Sequence, residues 1–395
     1  MVVAQALTGF TVLELGYHVA APFATKLLAG YGAEVIKIEP PEGDPTRRWG
    51  PFPSAEPHPE KSGTFLYLNT GKKSVTLDLK TVGGRILFSD LVKISDLFIT
   101  NLDHSDLDLL NISLSTIHSI NPRICTVFIS NFGTSGPWRD FTATGLTVFA
   151  AGGQMALTGD PDREPLKNFG HQAEYQAGFQ AFGAALSLLF NVITGGEADM
   201  IEISIQEVQA SALEMNLPNA LNHGIDVSRS GNTVRATWGI YPCKDGYIGI
   251  SALDRNLPAV FRAIGRPELL ETYKDPTARA QLNDALEALI YSWCAERTKQ
   301  EIFEIALKEQ APFSYIPTID ELLEWPALRE KGFWSAVDHP IAGRFTYPGG
   351  PFTMSTTPYR LGRAPLLGEH NEEIFCKRLG YSHEDLQHLR QMAVI

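Results

Sequence analysis

The spacing of apolar positions changes several times along this chain, and each change marks an element. Phe10–Leu15 (FTVLEL) is a short run of apolar and β-branched residues, which predicts a buried strand. Ala20–Tyr31 (AAPFATKLLAGY) carries small and apolar residues at helical spacing. Glu34–Glu39 (EVIKIE) predicts a second strand, stopped by Pro40 and Pro41. Strand, helix and strand in that order form a βαβ unit, the building block of a parallel sheet. Ser74–Leu79 (SVTLDL) alternates as a strand does, Thr81–Val92 predicts a helix, and Leu97–Thr100 and Ile124–Ser130 predict further strands. Strands alternating with helices through the first half give an α/β fold.

Past Gln206 the pattern changes. Gly231-Asn232 and Pro242–Gly246 (PCKDG) are turn signals around short strands such as Tyr247–Ser251. Helical patterns follow at Ala259–Ile264 and Ala280–Ala295. The chain therefore divides into a large α/β part (residues 1–205), a linker (206–227), a smaller α+β part (228–330) and a loop-rich tail (331–395). The tail ends in helices around Asn371–Leu379 and His383–Met392. Tyr175–Gly196 is 22 residues without a charge, but it holds Gln176, Gln180, Ser187, Asn191 and four glycines. A membrane span of that length is more apolar. The expectation is a helix buried in a large core.

Composition narrows the function classes. A chain of 395 residues with 44% hydrophobic and 20% charged side chains has ample material for two cores. Its formal net charge of −12 argues against nucleic acid or an anionic membrane as partner, but allows a small anionic ligand held by a few local cations. Cys125, Cys243, Cys294 and Cys376 form no CxxC pair, and the start MVVAQALTGFTVLEL reads as lacking a signal peptide. Both observations predict a reducing, cytoplasmic setting.

Several chemistries lack their residues. The turn after the first strand, Gly16–Pro22 (GYHVAAP), has only the first glycine of a dinucleotide fingerprint, so no tightly bound NAD or FAD is expected. There is no GxxxxGK[ST] and no GxSxG. His383 and His388 are five apart and would not share a helix face, so no metal site is expected. Glu174 is the first charge after Lys167 and stands at the head of the uncharged stretch. A carboxylate there is either a helix-terminal charge or a working nucleophile or base.

LELGYHVAAPFATKLLAGYGAEVIKIEPPEGDPTRRWGPF (13–52) resembles the opening of the family III CoA-transferases, the group with formyl-CoA and carnitine CoA-transferases and α-methylacyl-CoA racemase. The likeness continues in order through FLYLNTGKKSVTLDLKT (65–81), NPRICTVFISNFGTSGPWRD (121–140), GGQMALTGDPD (152–162), GNTVRATWGIYPCKDGYIGISAL (231–253) and PLLGEHNEEIFCKRLGYSHEDL (365–386). The resemblance implies a Rossmann-like large domain closed by the C-terminal tail, a small domain between, and an interlocked homodimer.

It also implies an activity. A family carboxylate, an Asp four residues before a Gly, attacks an acyl-CoA thioester, and CoA passes to a carboxylic acid. Here the glycine is Gly178 and the matching residue is Glu174. The extra methylene moves the oxygens by about 1.5 Å, and a misplacement of about 1 Å can cost on the order of 100-fold. Other acyl-CoA chemistry (racemase, isomerase, lyase or hydrolase) with Glu174 as base is the alternative, and a pseudoenzyme with weak CoA binding is a second. The racemase branch needs a His-Asp pair where this chain has Thr144 and Gly145. His171 could partner Glu174, although a lone His beside a carboxylate is more often a structural donor.

For CoA, the resemblance implies His18, Val19 and Ala20 after the first strand, Arg47, Leu77 and Lys80, and Asn101. Arg48, Lys72 and Lys73 are nearby cations, the two lysines equally readable as surface charges. The segment after Asn101 is acidic, with Asp103, Asp106 and Asp108 where the family carries basic residues. The expected ligands are an acyl-CoA and a carboxylic acid, with CoA as a substrate moiety and no resident cofactor. Asn232 is followed by TVRATWG in place of the glycine-rich loop of oxalate-using members, so oxalate is not the expected acceptor.

Overall fold

The computed structural model describes residues 5–214, 216–225 and 227–395. Residues 1–4 of the leader reading and residues 215 and 226 of the linker lie outside the described residues. The chain forms two compact units. One is built from the chain up to Gln154, from Lys167–Leu217 and from Leu328–Ile395. The other joins Met155–Leu166 to Pro218–Ala327. No periodicity marks Met155–Leu166 as part of the second unit; its placement depends on contacts distant in sequence, such as the Arg229 guanidinium donating to the Asp160 carbonyl at 3.0 Å.

The first unit is a parallel sheet with helices between its strands. Its elements run β1 (Thr11–Leu15), α1 (Ala20–Gly30), β2 (Glu34–Glu39), α2 (Gly63–Leu68), β3 (Lys73–Thr76), α3 (Val82–Lys93) and β4 (Leu97–Thr100). Next come α4 (His104–Leu109), α5 (Leu114–Ile120), β5 (Cys125–Ser130), α6 (Gly145–Ala151), α7 (Gln172–Ile193), β6 (Met200–Ser204) and α8 (Ile205–Ser211). The six strands lie in the order β3-β2-β1-β4-β5-β6. That is a doubly wound order, with its topological switch between β1 and β4, where such sheets bind ligands at the strands' carboxyl ends. β1, β4 and β5 are buried along their length, β2 and β3 are buried after their first residue, and the first residues of β6 reach the surface. Near-continuous apolar strands are what a sheet covered on both faces demands.

The tail returns to this sheet. Asn371 accepts from the Thr76 amide at 2.9 Å, and Asp78 donates its amide to the Val394 carbonyl at 2.7 Å. The segment Glu372–Arg378 is a π-helix, followed by an α-helix at His383–Gln391.

Helix α7 corrects the sequence reading of a fully buried element. Ala177, Gly178, Ala181, Ala185 and Leu188 line its buried face; the helix packs chiefly on α1, with α8 and β5 beside it. Phe179, Phe190 and Ile193 stand 45%, 65% and 62% exposed. Its length and composition would allow it to cross a membrane, and one apolar face is left uncovered by this chain.

The sheet also buries charge. Parallel pairing sets Glu14 opposite Lys37, and neither side chain reaches water. Lys37 Nζ lies 2.9 Å from Glu14 and 2.8 Å from Asp44, and donates to the Gly16 carbonyl at 2.8 Å. Lys72 Nζ lies 2.8 Å from the other Glu14 oxygen. Burial alone would raise the Glu14 pKa, but Lys37 and Lys72 overcome it and hold the carboxyl at about 2. Burial likewise pulls Lys72 down, to about 8, against the pull of Glu14. Lys72 is thus an interior ion-pair partner and not a surface lysine.

The second unit is an antiparallel sheet in the order β10-β9-β8-β7: β7 (Thr233–Arg235), β8 (Trp238–Cys243), β9 (Gly246–Ser251) and β10 (Phe313–Tyr315). Helices Leu257–Ala263, Asn283–Ala295 and Lys299–Glu309 supply Val260, Phe261, Ile290 and Ile302 to its core.

Candidate active site

A cavity of about 350 Å³ opens at the switch point of the parallel sheet. Its walls come from the residues just past the strands: His18, Val19 and Ala20 after β1, Asn101 and Asp103 after β4, Asn131 after β5 and Ile205 after β6. Trp49, Ala143, Thr144, Gly145, Val148, His171 and Glu174 complete it.

The turn after β1 is tightly held. Asn101 accepts from the Tyr17 amide at 2.9 Å and donates to the Tyr17 carbonyl at 2.8 Å. A Cβ on Gly16 would lie 2.8 Å from the Asn101 Oδ1, so glycine is required there. This tether leaves His18 at φ 61, a left-handed conformation that an L-residue adopts at a cost of about 1–2 kcal/mol. Its ring turns toward the cavity and stacks on Trp49 with centroids 4.9 Å apart. His18 is exposed as a residue, yet partial burial of its ring pushes its pKa below the usual value.

Glu174 arrives from the opposite side, in the first turn of α7. A Cβ on Gly178 would lie 2.8 Å from the Ala20 carbonyl oxygen, so the bare glycine lets α7 lie against the start of α1. Glu174, one turn earlier, is thereby set beside the β1 turn. Its side chain is 17% exposed. Oε1 lies 3.3 Å from His171 Nδ1, and Oε2 is buried without a hydrogen-bond partner. The Cα of Gly145 is close beneath: a Cβ there would sit 2.6 Å from Oε2 and 2.7 Å from Oε1. The room for the longer carboxylate is therefore supplied by Gly145.

Of the residues singled out in the sequence, His18, Val19, Ala20, Asn101 and Glu174 share this cavity. Asn101 spends both ends of its amide on Tyr17 and acts as a brace for the turn. Arg47 is elsewhere. Its side chain is buried, bonded to Glu39 at 2.6 Å and to Glu60 at 2.8 Å and stacked over Phe65, so its charge is spent inside. Leu77 is buried with Leu13, Leu15 and Ile36, on the far side of the sheet from α1 and α7. Lys80 is exposed in the turn before α3, outside the cavity. Asp103 does face the cavity, bonded by Asn131 at 3.4 Å; burial first, then Asp106, raises its pKa. Among the described lining residues there is no lysine or arginine.

Trp49, Asn131 and Ile205 are lining residues that sequence reasoning did not single out, and Gly145 was named there only as a position unable to carry a proton. Trp49 lies in the quoted RRWGPF segment, where an aromatic beside two arginines was the available signal. Gly145 gave none, because its role is the space above it. A second cavity, about 520 Å³, lies in the smaller unit beside Arg235 and Arg279, but both guanidiniums face Asp254, at 3.7 and 2.8 Å. Among the described residues no cluster of three or more His, Cys, Asp or Glu could hold a metal ion.

Comparison with known proteins gives a consistent result. A profile of the family described as CoA-transferase family III matches residues 7–371. The chain is 30% identical to formyl-CoA:oxalate CoA-transferase of Streptomyces avermitilis, over 99% of this chain and 100% of that protein. It is 33% identical to succinyl-CoA–D-citramalate CoA-transferase of Chloroflexus aurantiacus, over 97% and 96%. Among solved structures, a CaiB/BaiF family protein from Brucella suis is 28% identical and superposes with a TM-score of 0.82, covering 95% of this chain and 99% of that one.

Proposed function

The chain belongs to the CoA-transferase family III, and within that family we propose that Glu174 is the covalent nucleophile that carries CoA from an acyl-CoA to a carboxylic acid. The carrying observation is the state of its carboxylate: one oxygen anchored at 3.3 Å by His171, the other buried, unpartnered and lining the cavity. A carboxylate oxygen with both lone pairs free and little water around it is prepared for attack.

The chemistry runs in four steps. Glu174 attacks the thioester carbonyl, the C–S bond breaks, and CoA thiolate leaves a mixed anhydride. The thiolate then attacks the glutamyl carbonyl, giving a γ-glutamyl-CoA thioester and releasing the donor acid. The acceptor carboxylate attacks that thioester and expels the thiolate, which finally takes the acceptor acyl group and restores Glu174. Each bond made is matched by one broken, so no redox partner or metal is required. Hydroxylamine added after an acyl-CoA converts the activated Glu174 to a hydroxamate. An unmodified Glu174 peptide in mass spectrometry after formyl-CoA, succinyl-CoA or acetyl-CoA would refute the reading. A two-base proton transfer across an α-carbon has less support, because Thr144 and Gly145 line the cavity where its second base would stand.

The fit of Glu174 over Gly145 gives a sharp test. Gly145→Ala adds a methyl group 2.6 Å from Oε2, so the carboxylate must move. We expect kcat to fall on the order of 100-fold. The thermal midpoint should change little, since Gly145 is the first residue of α6, where the interior preference for alanine over glycine does not operate in full, and the added methyl meets a movable side chain. Full activity in this variant would show that the carboxylate position is unimportant.

A homodimer completes the proposal. The uncovered apolar face of α7, with Phe179 and Phe190, is the kind of surface that associates. Light scattering should give about twice the 43.4 kDa chain mass, and a monomer mass would count against it. Free thiols at Cys125, Cys243, Cys294 and Cys376 support a reducing, cytoplasmic setting.

A further inference from the structure

We infer that His171 is a catalytic residue that donates a hydrogen bond to Glu174 Oε1 and so stabilises the oxyanion formed whenever the glutamyl carbonyl is attacked. The inference rests on Glu174 being the nucleophile and assigns what serves that carboxylate through the later steps. Three observations carry it.

The first is the asymmetry of the carboxylate. His171 Nδ1 lies 3.3 Å from Oε1, while Oε2 has no hydrogen-bond partner. The two oxygens therefore have different parts. Oε2 attacks the acyl-CoA, and Oε1 becomes the carbonyl oxygen of the glutamyl half of the anhydride. When CoA thiolate attacks the glutamyl carbon, the π electrons move onto Oε1, which His171 already faces. Collapse of that intermediate restores the C=O bond and breaks the bond from carbon to Oε2, which leaves with the donor acid. The same donor serves when the acceptor carboxylate attacks the γ-glutamyl-CoA thioester. Charge developing on an oxygen already faced by a donor requires no reorganisation.

The second is that the His171 ring is held. It lies 5.8 Å from Trp49 with an interplanar angle of 15°, and Trp49 lies 4.9 Å from His18 at 27°. His18 closes the column from the left-handed turn after β1. Three separated segments thus converge on one stack of rings, which fixes the direction in which Nδ1 points. His171 is itself 47% exposed in its side chain, so packing alone gives little reason for the stack. The third is that Gly145 leaves the room in which the carboxylate sits beside the imidazole: a Cβ there would lie 2.6 Å from Oε2 and 2.7 Å from Oε1.

The test compares His171→Phe, which keeps a ring against Trp49 but has no donor, with His171→Asn, whose amide can place an N–H near the Nδ1 position. Trp49→Leu loosens the stack while leaving the donor. With succinyl-CoA and acetate as donor and acceptor probes, we expect His171→Phe to lose on the order of 100-fold in kcat with KM within threefold. His171→Asn should recover at least tenfold of that loss, and Trp49→Leu should fall between wild type and the Phe variant. His171→Ala carries the same comparison should the Phe variant not fold. Wild-type kcat in His171→Phe, or no recovery in His171→Asn, overturns the assignment. Hydroxylamine trapping separates the two readings. A Glu174 hydroxamate in both wild type and His171→Phe, with unchanged turnover, removes His171 alone. No hydroxamate in wild type with succinyl-CoA, formyl-CoA or acetyl-CoA removes the Glu174 reading and this one together.

Discussion

Glu174→Gln is expected to lower CoA transfer by on the order of 10³-fold or more while the protein folds normally, the result of removing a covalent nucleophile. The amide keeps the length and shape of the side chain, so the contact with Gly145 and the approach to His171 remain available. What it loses is an anionic oxygen able to form the anhydride. Glu174→Asp should behave differently. It keeps the carboxylate but withdraws it by about 1.5 Å, away from Gly145 and His171. Activity should then fall on the order of 100-fold rather than vanish. Pairing Glu174→Asp with a larger residue at position 145 would refill the space and should recover part of the loss. Transfer from formyl-CoA or succinyl-CoA to a panel of acids, with the trapped adduct located by mass spectrometry, measures all three. Substantial transfer by Glu174→Gln would move the nucleophile elsewhere.

Glu14→Gln should destabilise the first unit by about 3–5 kcal/mol, the usual cost of leaving buried cations without their carboxylate. Glu14 is fully buried and binds Lys37 at 2.9 Å and Lys72 at 2.8 Å. Both ammonium groups are removed from water with it: Lys37 would keep Asp44 at 2.8 Å, whereas Lys72 would be left with the neutral Pro22 and Asn69 oxygens at 2.8 and 2.9 Å. A shift in the guanidinium midpoint of the first unfolding transition reads the effect. Adding Lys72→Met to Glu14→Gln should return part of the stability, since the uncompensated charge leaves with it. The pH dependence gives an independent check. The folded carboxyl titrates at about 2 against an ordinary value of 4.5, so the folded state binds fewer protons than the unfolded one between them. Its contribution is fully present above pH 4.5 and is lost as the pH falls through about 2. The size implied is about 3 kcal/mol, in keeping with the substitution. If wild type and Glu14→Gln lose stability equally over that range, Glu14 is not the group responsible.

The strand-helix alternation of the first unit was readable because periodicity is local: β1, α1 and β2 each carry their signal within a dozen residues. Helix α2 was missed, since Gly63–Leu68 is too short to show a period. Helix α7 was found but placed too deep, because an uncharged run reports the absence of charge and not how many faces are covered. Glu174 was singled out because the family resemblance places a carboxylate four residues before Gly178. That spacing has a physical basis, since the glycine admits the Ala20 carbonyl and brings the carboxylate one turn earlier to the β1 turn.

Charges were harder to read. Arg47 and Lys72 looked like cations available to an anionic ligand. Both are consumed inside, Arg47 by Glu39 and Glu60 and Lys72 by Glu14. Asp103, by contrast, is not balanced by any lysine or arginine in the cavity lining. Sequence by itself determined the alternation of elements and, through the resemblance, the family and the candidate carboxylate at position 174. The tertiary structure decided which charges are spent, where Trp49 and His171 meet, and that Gly145 makes room for the longer side chain. The reason is that spacing along a chain records what one helix or strand can bring together. Ion pairing, ring stacking and free volume depend on distances between segments, and on water removed as they pack, which spacing does not contain.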